Sequence, residues 1–168
     1  MRQIGLTLLL FSMSMGGWAE QTVTAEVLSP TVSANESVLN NYYGALNQGD
    51  IEGAVSFLDE SFTSDAALPG LKKGREGFEA SLKALRLAFP DLSFEILERV
   101  SQGDTTVVRY DVVGTQRGKL YGIKATRKKI KVTGIDIWKF QNGKILGQHG
   151  NFDALGMLVQ LGIAPELK

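Results

Sequence analysis

An α+β domain is predicted, because helical and strand periodicities occupy separate parts of the chain. Up to Phe89 the apolar residues recur three and four apart, as on one helix face. After Pro90 they alternate with polar residues, and Asn142-Gly143 gives a two-residue hairpin signal, since both positions tolerate positive φ. Helices followed by a mostly antiparallel sheet and a closing helix make α+β the natural class.

The chain opens with Met1-Arg2-Gln3, an apolar run from Ile4 to Met15, and small residues around Gly16-Gly17-Trp18-Ala19. This is the three-part layout of a secretory signal with a cut after Ala19, and it implies a periplasmic or secreted protein. The run is short for a membrane span, which needs roughly 20 apolar residues, so no stable span is expected. Residues 20–34, rich in Thr, Val, Ser and Ala, are expected to be an extended lead, and residues 35–168 the domain.

Within the domain, Ser33 or Asn35 caps a first helix whose face is Val38, Leu39, Tyr42, Tyr43 and Leu46, stopped by Asn47-Gln48-Gly49. Asp50 caps a short second helix with Ile51, Val55 and Leu58. A third runs from about Arg75 to Ala88, ended by Pro90, which disfavours helix in the residue before it. Leu92, Phe94 and Ile96 mark a strand, Ser101-Gln102-Gly103-Asp104 a turn, and Thr105 to Val113 a β-branched strand. A loop from Gly114 to Lys128 precedes a strand from Lys129 to Phe140, and Lys144 to Asn151 returns as its hairpin partner. Leu155, Met157, Leu158 and Leu161 belong to a last helix.

The chain has 168 residues, is 43% hydrophobic and 21% charged, and carries 18 basic against 18 acidic side chains. That is one ordinary globular domain, with no bulk charge to draw nucleic acid. The absence of cysteine excludes disulfides and thiolate chemistry. One histidine and no spaced ligand set argue against a metal site.

An ordered series of short motifs resembles the SnoaL-like polyketide cyclases and ester cyclases of the NTF2-like superfamily. The series is Tyr43-Gly-Ala-Leu-Asn-Gln-Gly-Asp50, Gly74-Arg-Glu-Gly77, Phe89-Pro-Asp-Leu92, Gly114-Thr115 with Gly118 and Gly122, Gly134-Ile-Asp-Ile137, Asn142-Gly-Lys-Ile145, and Asp153-Ala-Leu-Gly156 through Gln160-Leu-Gly162. It covers roughly residues 36 to 163. The resemblance implies a curved sheet wrapped around helices, a conical pocket, a small hydrophobic or polyketide-like ligand, no cofactor and a homodimer. The family's acid/base aspartate on the last strand aligns with Gly150, and its pocket histidine with Asp136.

The candidate chemistry centres on Arg109, Asp111 and Asp136. Arg109-Tyr-Asp111 resembles the Arg-x-Asp of limonene epoxide hydrolases, which share the fold and use an Asp-Arg-Asp network to position a water. With Asp136 as second carboxylate, an arginine between two carboxylates in a dry pocket holds both ionised, and one then takes a proton from water or a carbon acid. The alternative is a structural salt bridge bracing the sheet. Tyr43, Trp138, Gln148, Gly150 and Phe152 are expected to line the pocket, with Tyr42 a further aromatic that could do so and Asp65 at its rim. His149 points outward by strand alternation. Lys119, Lys124, Arg127, Lys128, Lys129 and Lys131 read as a solvated edge. Two functions follow: cofactor-free proton-transfer or hydrolytic chemistry of cyclase, isomerase or epoxide-hydrolase type, or a non-catalytic periplasmic carrier or sensor that has lost the family's aspartate. Glycine at 150 would either leave room for a bulkier ligand or only relieve strand curvature, and an aspartate placed there would lie near Arg109 and be held ionised by it.

Overall fold

A computed structural model describes residues 30–65, 72, 74–120 and 122–165. The expected signal segment and most of the lead lie outside the described residues. The elements are α1 (Pro30–Gln48), α2 (Ile51–Ser56), β1 (Leu58–Ser64), α3 (Arg75–Ala88), β2 (Ser93–Gln102), β3 (Thr105–Thr115), β4 (Lys129–Gln141), β5 (Lys144–Phe152) and α4 (Ala154–Gln160). The five strands form one sheet in the order β1-β5-β4-β3-β2, antiparallel except for the parallel pairing of β1 with β5.

Helix α1 starts at Pro30, earlier than expected, so residues 30–33 are helical rather than part of an extended lead. Proline suits a helix start because its missing N–H has no partner to lose there. Helices α2 and α4 are capped alike. Asp50 accepts from the Gly53 amide at 2.8 Å and Asp153 from the Gly156 amide at 2.7 Å, the arrangement that satisfies an orphan donor at a helix start. The hairpin turn holds Asn142 at φ 51 and Gly143 at φ 74, as its dipeptide requires.

Strands β3, β4 and β5 each run one or two residues further than expected, and two larger differences stand beside these. Ser101 and Gln102 stay in β2, because Ser101 faces α1 and hydrogen-bonds Glu36, leaving only Gly103-Asp104 for the turn. Strand β1 was not anticipated. Its Leu-Asp-Glu-Ser-Phe-Thr-Ser sequence is mostly polar, and it is an edge strand fixed by pairing with β5 rather than by its own alternation.

The helices cover the inner face of the sheet. Leu39, Tyr42 and Leu46 of α1 pack with Phe78 and Leu82 of α3 and with Val108, Trp138 and Ile145 of the strands in one core cluster. Phe89, Leu92, Ile130, Val132, Met157 and Leu161 form a second, and Phe94 and Val112 touch both. Arg86 donates to the carbonyls of Leu46, Pro90 and Leu92, tying the end of α3 to α1 and to the turn that leads into β2. In the loop after β3, Leu120 is buried in the second cluster, while Gln116 accepts from the amide and hydroxyl of Thr126. Lys119, Lys124, Arg127, Lys128 and Lys129 are exposed around it.

Candidate functional site

Strand β4 alternates without a break. Its odd-numbered residues are exposed and its even-numbered ones buried, from Ile130 through Val132, Gly134, Asp136 and Trp138 to Phe140. A carboxylate therefore sits at an inward position on a central strand, where burial of an unpartnered charge is costly.

Asp136 is 5% exposed. Gln148 Nε2 donates to its Oδ1 at 2.8 Å and the Tyr110 hydroxyl to the same oxygen at 3.2 Å. Behind Gln148, Ser64 Oγ donates to Oε1 at 2.6 Å. On the other side Trp138 Nε1 donates to the Tyr43 hydroxyl at 3.1 Å, so the tyrosine's own proton can turn to the carboxylate. Burial drives the Asp136 carboxyl up from 3.8 to about 7, against the pull of the Gln148, Tyr110 and Tyr43 hydrogen bonds. Burial also raises the Tyr42, Tyr43 and Tyr110 hydroxyls, which stay protonated donors.

The group opens onto an apolar cavity of ≈ 90 Å³. Tyr42, Tyr43, Trp138, Phe94, Tyr110 and Phe152 supply its aromatic wall, and Phe89, Ile130, Val132 and Met157 its apolar end. Tyr42 and Trp138 meet edge-to-face with centroids 5.1 Å apart, a geometry favoured by the ring quadrupoles. Among the described residues Asp136 is the one charged side chain lining the cavity, and Gln148 its one amide. No three described His, Asp or Glu side chains cluster as metal ligands.

Two glycines make this arrangement possible. Gly134 faces Tyr110 across the β3–β4 pair, and a Cβ there would lie 2.6 Å from the Tyr110 ring. Gly150 faces Asp136 across the β4–β5 pair, and a Cβ there would lie 1.9 Å from Asp136 Oδ1 and 2.7 Å from Gln148 Nε2. The space at Gly150 is thus filled by the protein's own carboxylate and amide. The expected extra room for a bulkier ligand is not found at that point.

The expected Arg109–Asp111–Asp136 constellation does not assemble. In β3 the inward residues are Val108, Tyr110 and Val112; Asp136 pairs with Val108, while Arg109 pairs with Ile135 and Asp111 with Thr133. Arg109 lies on the outer face and pairs with Glu98 at 2.9 Å. Asp111 is covered there by Lys131 at 3.0 Å and by the Thr133 hydroxyl at 2.8 Å, which hold its carboxyl below the usual range. These contacts brace the outer sheet face: the exposed Arg109–Glu98 pair carries small energetic weight, while Asp111 is only 7% exposed beneath Lys131.

Asp65 does not reach the cavity. It lies at the exposed end of β1, where its Oδ2 meets His149 Nδ1 at 2.9 Å and its Oδ1 accepts from the Gly150 amide at 3.1 Å. Its carboxyl is lowered chiefly by the histidine contact. His149 is exposed, as alternation implies. Tyr43, Trp138, Gln148 and Phe152 do line the cavity.

Tyr42, a candidate wall residue from its place on α1, lines the cavity; sequence reasoning missed Tyr110 on the wall and Ser64, which stands behind Gln148 and donates to it. Tyr110 carried a signal: the even-numbered set Val108, Tyr110, Val112 is the apolar face of β3, which sends Arg109 and Asp111 outward.

The model of the SnoaL-like polyketide cyclase family matches residues 36–161. TsrD from Streptomyces laurentii is 26% identical at a TM-score of 0.72, covering 82% of this chain and 100% of that one. A protein from Acidithiobacillus ferrooxidans, named as a candidate polyketide cyclase, is 25% identical at a TM-score of 0.67, covering 80% and 98%. AclR from Streptomyces galilaeus, named as a candidate hydroxylase, has a TM-score of 0.72 over 82% of this chain and 90% of that one; at 18% identity it shows the fold alone. No curated protein matches the sequence significantly. With its cone-shaped α+β architecture and a family match over most of its length, the chain belongs to the SnoaL-like polyketide cyclases.

Proposed function

We propose that the protein binds a small, mainly apolar carbonyl compound in the cone and moves a proton on it without a cofactor, with Asp136 as acid and base. The supporting observation is a buried carboxyl, raised to about 7, at the polar end of an aromatic cavity. A group poised near the working pH is present in both forms and can take a proton and return it elsewhere. Tyr43, Trp138, Gln148 and Phe152, with Tyr42 and Tyr110, hold the ligand. Once Asp136 has taken up the proton, the Tyr110 hydroxyl can turn from Oδ1 to an oxygen on which charge develops. Arg109 and Asp111, on the outer face, have no part in this reading.

The test is deuterium uptake from D2O into small aromatic ketones with acidic α-hydrogens. Uptake proportional to protein concentration, rising with pH through a midpoint of about 7 to a plateau as Asp136 ionises, is the expected result. Ligand retained in native mass spectra with no exchange for any compound would instead favour the carrier or sensor reading, which rests on the same cavity.

Export and self-association are part of the proposal. The Met1–Ala19 layout supports export, and Edman sequencing of the secreted protein should begin at Glu20. Val100, Ile135 and Ile137, exposed on the outer sheet face, support a homodimer, readable by light scattering.

A further inference from the structure

The polar end of the cavity is a chain of hydrogen bonds with one consistent direction. An ionised carboxylate only accepts, so Gln148 must turn its NH2 to Asp136 and its carbonyl to Ser64, and Ser64 must be the donor. Ser64, Gln148 and Asp136 are all buried, so water does not compete for these bonds. Gln148 Nε2 and the Tyr110 hydroxyl both meet Oδ1. When the carboxyl takes up a proton, the oxygen already accepting from both an amide N–H and a phenol O–H is the less favourable one to carry it, because a hydroxyl oxygen accepts more weakly than a carboxylate oxygen.

Gly150 adds an independent observation. Its absent side chain is the space in which Oδ1 and the amide nitrogen meet, since a Cβ would stand 1.9 Å from one and 2.7 Å from the other.

We propose that Gln148, held by Ser64 and admitted by the missing side chain at Gly150, is a positioning residue that fixes the Asp136 carboxyl by Oδ1 and makes Oδ2 the oxygen that exchanges the proton. This rests on the acid/base reading of Asp136. The other groups bearing on that carboxyl are Tyr42 and Tyr43 from α1, Tyr110 from β3 and, through its charge, Asp65 from the end of β1.

The signs follow from the direction of the bonds. Gln148→Leu removes a donor that favours the ionised form, so Asp136 titrates at higher pH. Ser64→Ala frees the amide to turn, and its carbonyl then accepts the acid proton, again favouring the protonated form. Gly150→Ala forces apart the ends of two side chains rather than backbone, so the variant folds and shifts in the same direction.

The experiment is a carbon-13 NMR titration of the Asp136 carboxyl in the full, ligand-free chain, its signal identified by its loss in Asp136→Asn. The midpoint is expected to rise by about one pH unit in Gln148→Leu and by about half a pH unit in Ser64→Ala. In the unsubstituted protein, the Gln148 side-chain N–H signals should titrate with the Asp136 midpoint, a readout that needs no variant. Unmoved midpoints in Gln148→Leu and Gly150→Ala, a midpoint that ignores Ser64→Ala, or Gln148 signals blind to the titration would each overturn the relay. None of these readings uses turnover. A protein with the expected titrations and no deuterium exchange fails the proposed function alone.

Discussion

Asp136→Asn is expected to abolish proton exchange and, at the same time, to make the protein more resistant to urea at pH 8. General acid–base groups contribute on the order of 10²–10⁴ in rate, so exchange should fall by about that much. The stability effect comes from linkage. The folded-state carboxyl titrates at about 7 and an ordinary one at 3.8. Between those values the folded state binds the proton more tightly than the unfolded chain, so stability falls as pH rises. The group's cost is absent below the unfolded value and complete above the folded one. Going from pH 5 to pH 8, it should remove about 2–3 kcal/mol of stability. Asparagine carries no charge and still offers Oδ1 to Gln148 and Tyr110, so the variant should lack this loss. Asp65, Glu98 and Asp111 are lowered, not raised, and their linkage lies in the acid range outside this window. Urea unfolding of both proteins at pH 5 and pH 8 checks this; equal pH dependence in the two would show that Asp136 is not the buried, costly carboxyl.

This pairing of lost activity with gained stability is what a strained functional group leaves behind. Elsewhere β4 obeys its pattern: Ile130, Val132, Trp138 and Phe140 fill the inward positions that alternation assigns. Asp136 breaks the pattern at an inward site, and among the described residues no cation lines the cavity beside it. A carboxylate kept there against a cost of several kcal/mol is better explained by function than by packing.

The architecture was legible wherever local chemistry decides it. The period of α3, the Asp50 cap and the Asn142-Gly143 turn each read correctly from a few neighbouring residues. Strand β1 was not legible, because a polar edge strand depends on its partner β5 and leaves no pattern of its own. The site was legible in part. Tyr43 falls on the cavity from the apolar face of α1, and Trp138, Asp136, Gln148 and Phe152 fall on it as alternation within their strands predicts. The error lay between strands. Arg109 and Asp136 were placed on one face, yet cross-strand neighbours share a face only in the actual register, which pairs Asp136 with Val108. The apolar character of Val108, Tyr110 and Val112 contained the correction. Ser64 was invisible, since nothing in the sequence near β1 announces that its last residue reaches Gln148 across the β1–β5 pair.

Gly150→Asp gives the second large effect, with a sign opposite to the one the sequence suggests. From sequence alone, the new carboxylate would lie near Arg109 and be held ionised by it. In the structure Arg109 is across the sheet, bonded to Glu98. The new side chain instead enters a space already holding Asp136 Oδ1, 1.9 Å from where its Cβ would stand. The φ of Gly150 is not among the positive ones, so the side chain and not the backbone decides the outcome. Two carboxyls in one buried site cannot both ionise, and one must keep a proton well above neutral pH. The single variant should therefore lose about 3–5 kcal/mol at pH 8, combining overpacking with an uncompensated charge, and less at pH 5. Adding Asp136→Ala vacates the space and removes the second charge. The carboxyl is then moved from β4 to the facing position on β5, still beside the Gln148 amide. The double variant should recover most of the stability, giving an interaction of about 2 kcal/mol or more in a double-mutant cycle at pH 8. It should also regain part of the deuterium exchange that Asp136→Ala alone lacks, because the cavity again has one carboxyl at its polar end. Additive unfolding energies, or a Gly150→Asp protein as stable as its parent at pH 8, would mean that the two positions do not share one site.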